Sequence, residues 1–353
     1  MAYLRALDRS AGRQQSELGD YMMKRWNMAG RYALLFAMMA LILSACGGAL
    51  EPKGKVAEDQ LWMISFSFLV MLVVMVVVFV LFFYVIVRFR KRKDQTGYPK
   101  QIEGSHKLEI IWTAIPFVLV MILAVFTVAM TFEQDKKADP ETAVNVKVIA
   151  HQFWWEFIYE DYNIRTAQDL VLPANTWVNA DLTSGDVIHS FWIPQIAGKL
   201  DTNPGMSKTL PFKTGETGVF LGKCAELCGE SHALMDFKVV VKTDAEFEAW
   251  LEKMKTPAVV PDDASVQAGL EIYSTNCLYC HAVTTDTPSM GPNLAGFADR
   301  EKLAGFRENN DEWLKDWIRN PLDVKPGVLM PGFADILSDQ EIDDLTAYLR
   351  TLK

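Results

Sequence analysis

The stretch Cys224-Ala-Glu-Leu-Cys228-Gly-Glu-Ser-His232-Ala-Leu-Met235 packs two thiols, an imidazole, a thioether and a carboxylate into twelve positions, more donor chemistry than a core segment needs. Thiolate and thioether are soft ligands and imidazole suits copper, so the set reads as a copper site. The spacing Cys-x-x-x-Cys-x-x-x-His-x-x-Met brings all four donors to one point if the segment loops around a metal. A disulfide would use two donors and leave His232 and Met235 without a role. The flanking runs, Thr217–Leu221 and Phe237–Val241, are β-branched and aromatic, so the donors belong to a loop held between two strands of a rigid sheet.

The same texture extends back to Ala143. Val144–Ile149, Phe153–Tyr159 and Trp177–Leu182 are further short runs, broken by Pro, Gly and Asn. Many short strands with turn signals between them predict an all-β sandwich or barrel from Ala143 to about Lys242. The loop needs one more ligand from elsewhere in that fold. His189, in Asp-Val-Ile-His-Ser-Phe-Trp after a strand, is the best candidate. His151 competes, but the nearby Trp154-Trp155-Glu156 suggests a packing or surface role.

A chain of 353 residues has room for two or three domains. Its hydrophobic fraction, 50%, exceeds what a soluble protein of this charge requires and points to membrane segments. A net charge of −9 argues against a nucleic-acid partner, because the basic face is missing. The five cysteines (Cys46, Cys224, Cys228, Cys277, Cys280) each fall in a motif, which leaves none for a structural disulfide.

Leu61–Val87 is an apolar run without a charge, longer than the roughly 20 residues a spanning helix needs. The basic cluster Arg88–Lys93 that follows should stay in the cytoplasm. A second run, Ile110–Phe132, returns across the membrane with Pro116 near its start, which puts everything after about residue 133 outside the cell. Glu109 heads that second span and, read alone, is an interfacial acid. Upstream, Lys24-Arg25, the apolar run Tyr32–Leu43 and Leu43-Ser-Ala-Cys46 describe a secretory signal. The Cys after Leu-Ser-Ala resembles the bacterial lipoprotein box, in which that residue is acylated and becomes the mature N-terminus.

Beyond the β region, Thr243–Lys255 reads as an amphipathic helix with Phe247, Trp250, Leu251 and Met254 on one side, followed by a Pro-containing linker. The last part is acidic and helical, with helices predicted at Ser265–Asn276, Asp311–Arg319 and from Ser338, where Ser338 and Glu341 form a capping box. Cys277-Leu-Tyr-Cys280-His281 is the signature of covalent c-type haem attachment, with the two thiols bonded to the haem and His281 on the iron. A zinc site would want two more ligands, and a redox pair would not need the His. No His follows His281, so a methionine is expected opposite it, giving the raised potential of an electron carrier. Met330 lies far enough along the chain to reach the other haem face, whereas Met290 is only nine residues past His281. Two one-electron centres on one chain outside a membrane make an electron wire.

With its two membrane helices, outer β domain, His189 and Cys224–Met235, the chain resembles subunit II of haem-copper cytochrome c oxidases. The appended Cys277–His281 domain makes it similar to the caa-type variant, in which cytochrome c is fused to subunit II. The resemblance covers nearly all of residues 46–353 and is also carried by Asp186–Pro194 and Gly198–Gly205. It implies a cupredoxin-like domain with a dinuclear copper centre, CuA. Cys224 and Cys228 would bridge the coppers, with His189 and His232 binding one each, Met235 a weak ligand and Glu226 a ligand through its carbonyl. The Glu226 side chain would reach magnesium at the boundary with subunit I, and Glu109 would serve a proton path. One position departs from the pattern. Phe153 stands where the family has its electron-accepting tryptophan, so Trp154 or Trp155 is the aromatic expected on the electron path.

The expected division is therefore 1–45 as extension and lipoprotein-type signal, 46–135 as transmembrane hairpin (helices about 60–87 and 110–132), 136–245 as cupredoxin-like CuA domain, 246–262 as helix and linker, and 263–353 as all-α cytochrome c domain. The expected role is electron transfer from haem c through CuA to subunit I of a proton-pumping bacterial oxidase that reduces oxygen to water. This chain would not itself be the oxygen-reducing site. Subunits I and III and a donor such as a cytochrome c or bc-type complex are the implied partners. Two other readings are the equivalent subunit of a nitric-oxide-reducing relative and a copper-binding assembly protein without electron transfer.

Overall fold

The computed structural model describes residues 48–91, 97–98 and 103–353, together with Gly30, Tyr32, Leu35, Phe36 and Met38, which are helical. Cys46 and most of the expected signal segment lie outside the described residues. The chain divides into Met1–Glu51 and a compact unit, Pro52–Lys353, which holds all the elements below.

Helix α1 (Lys55–Arg88) and helix α2 (His106–Gln134) are both long and apolar enough to cross a membrane, and their apolar side chains are exposed over most of their length. They start one turn or more before the expected spans because polar residues complete their first turns, as with the Lys55–Asp59 ion pair at 2.6 Å. The first turn of α1 is seated on the β region. Val56 and Ala57 are buried there, and the Lys53 amide donates to the Gln195 carbonyl at 2.6 Å.

Ten strands follow: β1 (Val144–His151), β2 (Trp154–Tyr159), β3 (Ile164–Ala167), β4 (Asp169–Pro173), β5 (Trp177–Ser184), β6 (His189–Trp192), β7 (Lys199–Thr202), β8 (Lys208–Lys213), β9 (Gly218–Cys224) and β10 (Asp236–Lys242). They form two five-stranded sheets, ordered β3-β2-β1-β5-β8 and β4-β10-β9-β6-β7, with β1/β5 and β4/β10 parallel and the other pairs antiparallel. This is the expected sandwich. Strand β1 alternates buried and half-buried residues along its length, as a strand with one face on the core must. The aromatics Trp155, Phe157, Phe191 and Phe237 fill the space between the sheets. Tyr159 on one sheet both donates to the Val171 carbonyl and accepts from the Val171 amide on the other, each at 2.8 Å.

Helix α3 (Asp244–Lys255) begins in a complete Thr243/Glu246 capping box and buries Phe247 and Leu251, with the Trp250 ring 5.3 Å from Tyr159. The last region contains α4 (Ala264–Asn276), α5 (Asp311–Arg319), α6 (Pro321–Val324) and α7 (Asp339–Leu349). The expected Ser338/Glu341 capping box is formed. Helices α4 and α7 cross closely where Gly269 meets the Asp344 backbone, and a Cβ there would collide with that carbonyl. Tyr273 and Tyr348 pack beside the crossing at 5.2 Å.

Candidate metal centre and haem cleft

The donor loop joins β9 to β10. Its neck is closed by the Cys224 amide donating to the Met235 carbonyl at 3.1 Å, and it is tied to β6 by Ala225 N donating to Ser190 O at 2.9 Å. Cys224 is thus the last residue of a strand rather than part of the loop, and His189 opens strand β6 as well as following β5. The sandwich holds these two donors rigidly, and the loop brings up the rest.

The donors converge on two free thiols. Cys224 Sγ and Cys228 Sγ are 3.8 Å apart, well beyond the roughly 2.05 Å of a disulfide. His189 Nδ1 lies 3.9 Å from Cys224 Sγ, and the Glu226 carbonyl accepts from the same sulfur at 3.2 Å. His232 Nδ1 is 3.7 Å and Met235 Sδ 3.8 Å from Cys228 Sγ. His189, Cys224 and Cys228 form the tightest group, with ligand atoms within 4.8 Å of one another, and all three are buried. Two sulfurs flanked by two imidazole nitrogens, a thioether and a carbonyl suit copper well.

The electrostatics favour thiolate at Cys224. A hydrogen bond from Cys228 pulls the Cys224 thiol down to about 3, with the His189 contact adding to it, and the shared proton pushes Cys228 upward. Burial opposes charge on His189, but hydrogen bonds to Asp186 and Cys224 outweigh it and raise the imidazole. Asp186 Oδ1 lies 2.8 Å from His189 Nε2, so Nδ1 is left free for a metal. Asp186 is itself fixed by the Gln152 and Val187 amides, both at 2.6 Å. Gln152 Nε2 in turn donates to the Cys228 carbonyl at 2.5 Å. Next in the loop, Gly229 has φ +137° and sits against the Phe153 ring, where a Cβ would crowd it. The Trp155 indole donates to the Met235 carbonyl at 3.5 Å and meets His189 edge-on at 6.2 Å.

Sequence reasoning missed the roles of Asp186 and Gln152, although an acid three residues before a candidate His was a usable signal. Trp154 stacks on His151 at 4.3 Å, and His151 also contacts Glu156, so His151 takes the packing role expected of it. The Glu226 side chain is exposed, while its carbonyl faces the sulfur. Glu109 occupies the first turn of α2, 3.5 Å from His106.

In the helical region, Cys277 ends α4 and Tyr273 Oη donates to the His281 carbonyl at 2.7 Å. His281 Nδ1 bonds to the Pro292 carbonyl at 2.8 Å, which fixes the tautomer and leaves Nε2 for iron. Burial lowers the His281 imidazole and raises the Cys277 thiol to about 11. Cys277, His281 and Met330 line one apolar cleft with Leu294, Phe297, Trp317, Phe333 and others. Met290 is exposed and does not border it. The cleft's donors and apolar walls fit a haem.

A membrane hairpin, a cupredoxin-like sandwich and a helical cytochrome c domain on one chain define a class of multi-domain membrane redox proteins. Three family models match: the transmembrane domain of cytochrome c oxidase subunit II over residues 53–130, its periplasmic domain over 163–243, and cytochrome c over 266–353. Cytochrome c oxidase subunit 2 of Bacillus sp. (strain PS3) is 49% identical, with 90% of this chain and 96% of that one aligned. The Bacillus subtilis (strain 168) protein of the same name is 44% identical over 94% and 99%. The crystal structure of the periplasmic domain of subunit II of cytochrome oxidase from Bradyrhizobium japonicum is 31% identical, covering 32% of this chain and 94% of that one at a TM-score of 0.31.

The chain belongs to the cytochrome c oxidase subunit II family, in the form that carries a C-terminal cytochrome c domain. It is a membrane protein and a subunit of a cytochrome c oxidase complex, and the family implies haem c and copper.

Proposed function

We propose that this chain accepts electrons one at a time on haem c and passes them through a dinuclear copper centre to subunit I, where oxygen is reduced to water and protons are pumped. The observation that carries this reading is the convergence of four donors around two thiols 3.8 Å apart, on the same chain as a cleft with haem ligands at opposite ends of its sequence. His189, Cys224, Cys228, His232, Met235 and the Glu226 carbonyl hold the copper, and Cys277, Cys280, His281 and Met330 hold the haem. When bound, the two groups supply one-electron storage, and the buried, hydrogen-bonded surroundings limit the response of solvent to each charge change.

The same reading extends to the finer assignments. The exposed Glu226 carboxylate is free to reach magnesium at the subunit I boundary. Glu109 serves a proton path, and Trp155, in contact with Met235 and His189, lies on the electron path with Trp154 near it. The β and helical domains face outward from a bacterial membrane, as the basic cluster after α1 suggests. Cys46 carries a lipid anchor, subunit III completes the complex, and a cytochrome c or bc-type complex is the donor. The same reading keeps the domain limits proposed from the sequence. Neither the nitric-oxide-reducing nor the assembly reading gains support from the relatives reported above, which are named as cytochrome c oxidase subunits.

The test is made on the purified oxidase complex. Stopped-flow reduction should show haem c reduced first, followed by the copper centre, with a mixed-valence two-copper resonance in the frozen protein. A one-copper resonance, or copper that stays oxidised beside reduced haem c, would sink the reading.

A further inference from the structure

After α6 the chain runs through Lys325-Pro-Gly-Val-Leu-Met330, and this short segment touches both redox domains. Lys325 is only 2% exposed. Its Nζ donates to the Phe153 carbonyl in the sandwich and to the Ala304 carbonyl in the cytochrome domain, each at 2.7 Å. The next residue, Pro326, accepts a 2.6 Å hydrogen bond at its carbonyl from Ser231 Oγ, and Ser231 is the neighbour of His232. Gly327, at φ +78°, lies against the Phe153 ring and Glu230. Val328 packs on the sandwich core, and Met330, two residues later, packs on the core of the cytochrome domain. The four steps from Pro326 to Met330 span at most about 14 Å even when fully extended.

An amine buried between two carbonyls from different domains acts as a fastener, because removing it leaves both carbonyls without a donor. The ion pairs Lys238–Glu301 and Lys253–Asp299 also cross this boundary, but their carboxylates are in contact with solvent and hold position weakly.

We propose that Lys325–Met330 is the bridge along which electrons pass from the haem cleft to the copper loop. The Ser231–Pro326 hydrogen bond is its crossing point, and Lys325 is the positioning residue that keeps the two domains in register. This rests on the electron-carrying role proposed above. With haem and copper held by the residues named above, the step would be a one-electron transfer in which the haem is oxidised and the copper reduced. No bond breaks and no proton moves. Phe153 is covered by the same segment, so the fused domain closes off this side of the copper loop from solvent.

The experiment uses the complete oxidase complex, with haem c reduced by a flash and both centres followed spectroscopically. Ser231→Ala should keep both spectra and lower the rate of haem-to-copper transfer, because a through-space gap replaces the hydrogen-bonded crossing at Pro326. Lys325→Met should slow transfer as well and also raise amide hydrogen exchange at residues 228–232 and 325–330, a readout independent of electron flow. Parent transfer rates in both variants, or unchanged exchange in Lys325→Met, would overturn the bridge. A parent complex in which reduced haem c never reduces copper defeats the proposed function instead. If Lys325→Met loses either spectrum, Ser231→Ala decides, since it removes only a hydroxyl.

Discussion

Replacing Asp186 with asparagine removes a charge from beneath the copper loop while keeping nearly the same shape. In the parent chain, Oδ1 bonds to His189 Nε2 at 2.8 Å and accepts from Val187 N at 2.6 Å, and Oδ2 accepts from Gln152 N at 2.6 Å. An amide has one oxygen for these donors. If it serves His189, its NH2 group faces the Gln152 N–H, and two donors meet. If it serves Gln152, the His189 Nε2–H loses its acceptor inside a side chain that is fully buried. Either way His189 Nδ1 is less firmly aimed at the metal, and the imidazole is a poorer ligand without its carboxylate. Loss of such a partner costs about 10–100-fold in metal affinity, or roughly 1.4–2.8 kcal/mol. The assay is competition for copper by a chelator on the purified complex, with haem c absorbance as the internal measure of protein. Glu226→Gln is the control and should leave affinity unchanged, because its contact to the sulfur is through the backbone carbonyl. Copper held as tightly in Asp186→Asn as in the parent would refute the reasoning.

Other variants probe the remaining elements. Met330→Ala should convert a six-coordinate low-spin haem c to a five-coordinate or water-ligated form and lower its potential, while Met290→Ala should leave the absorption spectrum unchanged; the reverse pattern would reassign the axial ligand. Gly222→Ala would drive a Cβ into the Phe237 ring, which is stacked on Phe191 at 4.9 Å and cannot retreat, so chemical denaturation should show a loss of about 1–3 kcal/mol. Burial pulls the Lys325 amine down to about 7, against about 10.4 in an unfolded chain. Between these values the unfolded state binds the extra proton, so this group's contribution to stability rises with pH from about 7 to about 10.4 and is lowest below that window. Lys325→Met should flatten that slope in thermal melts at pH values on either side of it, and an unchanged slope would exclude Lys325 as its source.

The sequence by itself determined the features that rest on local chemistry. Residues 61–87 and 110–132 read as membrane helices, because they are uncharged runs longer than a spanning helix needs. The Cys224–Met235 and Cys277–His281 motifs marked candidate ligands because the donors sit a few residues apart. Ser338 and Glu341 marked a helix start for the same reason. The choice of Met330 over Met290 was also open to sequence reasoning, since reach along the chain limits which residue can face His281.

Strands such as Lys199–Thr202 and Lys208–Lys213 were not legible, because their exposed polar residues blur the alternation and only pairing with a neighbour defines them. The contact of Asp186 with His189 exists only once β6 is placed beside the donor loop. Lys325 is bonded to Phe153, 172 positions away, a contact that only the docking of two domains reveals. Ligand identity follows from side-chain chemistry, which the sequence spells out. The aim of His189, the closeness of the two sulfurs and the path between the domains depend on contacts between distant segments, and those exist only once both cores have packed.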